Sequence, residues 1–251
     1  MAKKIDPFAY KQPAIVPFLL WLYRAVVGKI LFGLFGGYRI YGKEKVPKTG
    51  GLLILPNHLS TVDPPFTQFA SPRRIYYMAN KEVFDWETAG ADGKPPGLIH
   101  KFSSWLAHFY GAFPVTTKSA DRAALRRAVE LLKAGETVCI YPEGGTSPGG
   151  LQPLFAGPAL IIRQAKCQVI CLGLRNTGLV IPHKDLKPRR SPKPIEAHWG
   201  DPHTFDEKAG QDEILSWVEL ELYRLTGFKP EDRVIETPEE VQPGIEGKRE
   251  Q

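Results

Sequence analysis

His58 and Asp63 lie in the run Pro56-Asn57-His58-Leu59-Ser60-Thr61-Val62-Asp63-Pro64-Pro65, and a second run, Tyr141-Pro142-Glu143-Gly144-Gly145-Thr146-Ser147, sets another carboxylate beside two glycines. An imidazole titrates near neutrality, and it works as a general base when a carboxylate holds one ring nitrogen and leaves the other to take a proton. At about 100° per residue, a five-residue spacing puts His58 and Asp63 ~140° apart on an ideal helix, so they meet only where the chain turns sharply. A strand-to-helix turn supplies that geometry, with Asp63 expected to cap a helix whose first residue is Pro64. Taken singly, each residue has a plainer account: an Asp before proline as a cap, a His after a strand as a satisfied polar group. Glu143 changes the balance, because its turn also follows an apolar strand and should open on the same sheet edge. Gly144 and Gly145 let backbone N–H groups come close to a ligand, as an oxyanion site requires.

The elements that must position these groups read as short apolar runs alternating with helical patterns. Residues 52–55, 75–78, 112–115, 138–141 and 169–174 are strand-like and apolar on both faces, as in a sheet covered on both sides. Residues 121–134 and 159–166 have helical spacing, with Gly135 closing the first of these helices. A later helix over 213–225 sets Ile214, Trp217, Val218, Leu222 and Leu225 on one face, with Gly227 after it; that is a core stripe and needs no cofactor to explain it. The fold class expected is α/β: a mixed, largely parallel sheet covered by helices, preceded by a membrane-associated helical segment.

That first segment carries much of the charge. The formal net charge is +6, and residues 1–48 hold nine Lys/Arg against Asp6 and Glu44. Basic residues flanking Phe18, Leu19, Leu20, Trp21, Leu22 and Tyr23 point to lipid rather than nucleic acid, for which the sequence has no motif. Residues 15–35 are long enough to cross a bilayer, but Arg24 and Lys29 would sit near its middle. Helices lying in the interface are therefore expected, with Trp21 and Tyr23 at headgroup level and the basic stems running outward; a buried core helix is the competing reading. The run has no cleavage site of the signal-peptide kind. Three organisational units follow: residues 1–38 as a basic and apolar anchor, 39–228 as the catalytic domain, and 229–251, with four basic and seven acidic residues and three prolines, as a disordered tail. Residues 91–97 read as a loop. Cys139, Cys167 and Cys171 cannot all pair and read as buried thiols in a reducing compartment. No metal site is expected.

The two motifs in this order resemble the lysophosphatidic acid acyltransferase family (1-acylglycerol-3-phosphate acyltransferases), marked by His-x-x-x-x-Asp and a downstream aromatic-Pro-Glu-Gly. The resemblance covers roughly residues 35–205, with Gly111-Ala112-Phe113-Pro114-Val115 in the place of the family's second block. It implies a domain docked on the cytoplasmic face of a membrane by an N-terminal helical pair, and acyl transfer from acyl-CoA or acyl carrier protein to a lipid hydroxyl. His58 would be the general base and Asp63 its orienting partner. Glu143 would orient the acceptor, with Gly144, Gly145, Thr146, Ser147, Thr117 and Lys81 around it. No acyl-enzyme is expected, since no Ser or Cys stands in a nucleophile motif. Two arginines of the family are replaced: Thr116, Thr117 and Lys118 follow the second block, and Thr146 stands in the third. Arginine is a bidentate phosphate ligand and threonine is not. Lys81, Lys118, Arg122 and Arg175 are candidates to compensate. The acceptor that the resemblance implies is 1-acylglycerol-3-phosphate, with an uncharged lipid alcohol or glycolipid, which the missing arginines would suit, as the alternative and a non-catalytic membrane-binding protein as a third reading. The sequence does not specify an oligomeric state.

Overall fold

The computed structural model describes residues 15–80, 111–115, 121–183 and 187–234. Lys81, Thr117, Lys118 and the loop expected at 91–97 lie outside the described residues. Among those described, seven strands form one sheet: β1 (Tyr38–Tyr41), β2 (Leu52–Pro56), β3 (Tyr76–Asn80), β4 (Phe113–Val115), β5 (Thr137–Cys139), β6 (Gln168–Arg175) and β7 (Ile195–Trp199), in the order β1-β7-β6-β2-β5-β3-β4. The stretch from β6 to β4 is parallel, whereas β7 runs antiparallel to β6 and pairs in parallel with β1. The expected mixed, largely parallel sheet is what forms.

Strand β2 is buried along its whole length because it is covered twice. Leu52 and Ile54 join one core cluster, and Leu53 and Leu55 join another on the opposite face. The first cluster is closed by α1 (Val16–Leu34) and α2 (Asp63–Ala70), through Val16, Leu20, Phe32, Phe66 and Phe69. The second is closed by α3 (Arg122–Lys133), α4 (Gly157–Ala165) and α5 (Gln211–Thr226), through Ala128, Leu131, Ile161, Ile214, Val218 and Leu222. Gly135, at φ 85°, ends α3 by donating its N–H to Leu132 O.

Two strands were not expected. In β7, Ile195, Ala197 and Trp199 point inward while Glu196 and His198 are half-buried, an alternation that marks a strand with one wetter face. Strand β1 is exposed at Arg39 and Tyr41, as suits a sheet edge.

Helix α1 is continuous over 19 residues and long and apolar enough to cross a membrane by length and composition, with a wide π-helical turn at Tyr23–Val27. Its inner face is core, and its outer face exposes Phe18, Trp21, Val26, Val27, Ile30 and Leu34. Trp21 thus stands outward as expected, but Tyr23 and Arg24 do not. The Tyr23 hydroxyl donates to Pro65 O at 2.9 Å, and the Arg24 guanidinium donates to Gln68 O, Pro72 O and Arg73 O at 3.2, 3.4 and 2.5 Å. The end of α2 leaves carbonyls without helical partners, and a guanidinium fork satisfies them better than water at a packed surface. The inner face fits the buried-helix reading, and the outer face is exposed and apolar.

The first residues of the stretch expected as a disordered tail are ordered. Residues 230–232 form a single 3₁₀ turn, and Val234 N–H donates to Leu151 O at 3.0 Å. Gly150 permits this, since a side chain there would collide with the backbone of Asp232. All three cysteines are free and buried, and burial pushes the Cys167 thiol up to about 11 and the other two well above their ordinary range.

Candidate active site

Strands β2 and β5 are parallel neighbours, with Ile54 opposite Cys139, so the turns that follow them open at one edge of the sheet. Asn57 fixes the first turn. Its buried amide donates to Leu174 O at 3.0 Å and accepts from Leu174 N–H at 2.6 Å, which ties the residue before His58 to β6. The sequence contained this residue without revealing the task; a buried Asn with both amide atoms on one backbone unit is visible only in three dimensions.

The turn then closes on Asp63. One oxygen, Oδ2, receives the Leu59 and Ser60 N–H groups at 2.7 and 2.8 Å and lies 2.9 Å from His58 Nδ1. Asp63 is the first residue of α2 rather than its cap, and its carboxylate bonds no amide of the helix. It turns back instead, because the turn before it offers two adjacent N–H donors and an imidazole. An ionised carboxylate only accepts, so Nδ1 carries the proton and Nε2 keeps the lone pair. The His58 side chain is 16% exposed, whereas Asp63 is fully buried. Tyr141 stacks on the imidazole, with ring centroids 4.1 Å apart and planes 26° apart, and its hydroxyl lies 3.3 Å from Thr67 Oγ1. Burial pushes that phenol well above its ordinary range, so it stays neutral.

Glu143 does not stand free to meet an acceptor. Its Oε1 accepts from His58 N–H at 2.7 Å and its Oε2 from Gln152 N–H at 2.7 Å. Burial pushes this carboxyl up to about 8, with the two amide donors pulling the other way. Ser147 is likewise committed: its N–H donates to His58 O at 2.7 Å and its hydroxyl donates to Gly150 O. Two of the residues expected around the acceptor, Glu143 and Ser147, thus hold the main chain of His58. Burial accounts for the pairing, since a polar group out of water needs a partner within the protein.

The glycine turn faces outward between them. Gly144 adopts φ 71° and packs against the Phe155 ring, where a side chain would collide. Its N–H is used by Tyr141 O, whereas Gly145 N–H makes no hydrogen bond among the described residues. Thr146 Oγ1 lies 2.8 Å from Nδ1 of His183, a residue the sequence did not single out. Neither of the two described basic candidates hydrogen-bonds to this turn among the described residues. Arg122 is exposed on the first turn of α3, and Arg175 donates twice to Leu225 O at the end of α5, at 2.9 and 2.6 Å.

The sequence pattern of the family described as Acyltransferase matches residues 37–175. The chain belongs to the acyltransferase family. The match starts at β1, ends at β6 and contains both turns of the site. A 1-acyl-sn-glycerol-3-phosphate acyltransferase of Bacillus subtilis (strain 168) is 30% identical over 143 residues, which are 57% of this chain and 64% of that relative's length. The crystal structure of the 1-acyl-sn-glycerophosphate (LPA) acyltransferase PlsC from Thermotoga maritima shares the acyltransferase fold seen here, with a TM-score of 0.63 at 20% identity over 88% of this chain and 84% of that one.

Proposed function

We propose that the chain transfers a fatty acyl group from a thioester, acyl-CoA or acyl carrier protein, to the free hydroxyl of a lysophospholipid at a membrane surface, with 1-acylglycerol-3-phosphate as acceptor and phosphatidic acid as product. The observation that carries this reading is the contact between His58 Nδ1 and an Asp63 oxygen already held by two amides. His58 Nε2 takes the proton of the acceptor hydroxyl as its oxygen adds to the thioester carbonyl, and Asp63 stabilises the imidazolium. The tetrahedral intermediate expels the thiolate, which recovers the proton from His58 and leaves as thiol. Gly145 N–H is the candidate donor for the intermediate's oxyanion. The scheme uses no cofactor, because the reacting carbon arrives activated as a thioester.

The same reading puts the protein on the cytoplasmic face, where thiols stay reduced, held by the outer face of α1. The experiment is transfer of labelled oleate from oleoyl-CoA to a panel of lysolipids, resolved by thin-layer chromatography. Phosphatidic acid from lysophosphatidate is expected; no product with any lysolipid or lipid alcohol overturns the proposal. One observation supports an uncharged acceptor instead: Thr146 is paired with an imidazole, and Arg175, a candidate to replace the missing arginines, is held by Leu225 O. Preferential acylation of a monoacylglycerol or glycolipid in the same panel would establish that alternative.

A further inference from the structure

Helix α1 has two unlike duties along one stretch of chain. At its wide turn, Tyr23 and Arg24 reach inward to α2 while Val26, Val27 and Ile30 face out. The inward contacts bracket α2 from end to end. Tyr23 holds Pro65 O in the first turn, two residues from Asp63, and Arg24 gathers the carbonyls of Gln68, Pro72 and Arg73 at the far end. Between these ends, Phe32 packs on Phe66 and Phe69 with ring centroids 5.0 and 5.1 Å apart, and Gly28 lies flat against the Phe69 ring. A π-turn shifts the register of the residues after it, which lets one helix present Tyr23 and Arg24 to α2 without turning its apolar stripe inward.

We propose that Tyr23 and Arg24 are positioning residues for the acyl transfer: α1 holds the helix that carries Asp63 and so sets the geometry of the His58–Asp63 pair, besides holding the protein at lipid. The inference rests on the reading of His58 and Asp63 given under Proposed function. Asp63 is the first residue of α2, so a small rotation of that helix moves Oδ2 against the His58 ring. Rate is steep in such displacements, since misplacing a reacting group by about 1 Å costs on the order of 100-fold.

The test separates this role from anchoring. Full-length protein is bound to phosphatidylcholine vesicles containing phosphatidylglycerol, and kcat and KM are measured with oleoyl-CoA and 1-oleoylglycerol-3-phosphate. Tyr23→Phe keeps the ring and removes one hydrogen bond; Arg24→Gln removes the fork. The expected result is a kcat lower by about fivefold or more, as for a lost buried hydrogen bond, with donor KM and vesicle binding unchanged and the thermal midpoint of Tyr23→Phe lowered by only about 2–4 °C, so that the protein is folded at the assay temperature. Ile30→Ser on the outer face should do the reverse, weakening vesicle binding while keeping kcat for the bound fraction. If both inward variants keep kcat, or lose activity only in step with vesicle binding, the inference is overturned. His58→Ala is run alongside. If it keeps its rate, the functional reading fails and takes this inference with it, whereas an inactive His58→Ala beside fully active Tyr23→Phe and Arg24→Gln refutes the positioning role alone.

Discussion

The carboxyl of Glu143 ends on the backbone of His58: Oε1 lies 2.7 Å from His58 N, across 85 residues of sequence. With Oε2 on Gln152 N–H and Ser147 N–H on His58 O, the second motif grips the first by its main chain. Glu143→Gln keeps one acceptor oxygen but turns an N–H₂ toward a backbone N–H. Leaving that donor unsatisfied costs about 1–3 kcal/mol. The loss should appear in kcat, falling about 10- to 100-fold by the usual exponential relation, with acceptor KM little changed. A variant that raised acceptor KM and spared kcat would mean Glu143 meets the substrate after all.

Glu143 also makes stability depend on pH. Its carboxyl titrates near 8 when folded against an ordinary value of 4.5, so between these values the folded state holds a proton that the unfolded chain has lost. Stability contributed by this group is therefore full at low pH, falls as pH rises through that window and is flat above it. Thermal midpoints across this range should show a decline in the wild type that is smaller in Glu143→Gln. Parallel curves for the two proteins would contradict the assignment.

His58→Ala should abolish transfer with an unchanged circular dichroism spectrum. Asp63→Asn should be slow but measurable, since the amide oxygen can still accept from Leu59 and Ser60 N–H but cannot stabilise an imidazolium. Residual activity of His58→Ala above a small fraction of wild type would remove the base from this mechanism.

Tyr141 offers a finer test of the same ring. Stacked pairs contribute about 0.5–1.5 kcal/mol, so Tyr141→Leu should lower kcat by about threefold to tenfold on the same exponential relation. Tyr141→Phe keeps the ring and gives up only the 3.3 Å contact with Thr67, so its kcat should stay near wild type. Equal losses in the two variants would assign the effect to the hydroxyl rather than to stacking.

Deleting α1 should not yield a soluble enzyme. Val16, Leu20 and Phe32 share a core with Val62, Phe66 and Phe69, so the truncated protein exposes that face and is expected to aggregate. Phe18→Ser with Trp21→Ser, both on the outer face, should instead release folded protein from membranes. Sedimentation with and without vesicles, read beside circular dichroism, distinguishes the two outcomes.

The site was legible where chemistry and order along the chain sufficed. His58, Asp63 and Glu143 follow apolar runs, and their strands are covered on both faces, which gives continuous apolar segments that are easy to read. Strands β1 and β7 escaped because Tyr-Arg-Ile-Tyr and Ile-Glu-Ala-His-Trp are short and alternate, and a short alternation gives a weak signal unless it is looked for. The main-chain contacts of Glu143 and Ser147 were not legible, because nothing in a sequence says that a side chain will end on a main-chain amide far away. Arg24 misled for a related reason: a charge in an apolar run looks costly until three carbonyls are found waiting for it.

The three buried thiols make the native surface chemically silent toward cysteine reagents, since a thiolate is the reactive form and burial suppresses it at Cys139, Cys167 and Cys171 alike. A single cysteine introduced at Phe18, Trp21 or Ile30 would then be the only one to take a fluorescent or spin label, with the natural ones left in place. Quenching from known bilayer depths would turn that label into a ruler for how far each position of α1 sinks into lipid. The same three thiols become reporters when the fold opens, so the rate at which they label under native conditions measures how often the sheet comes apart.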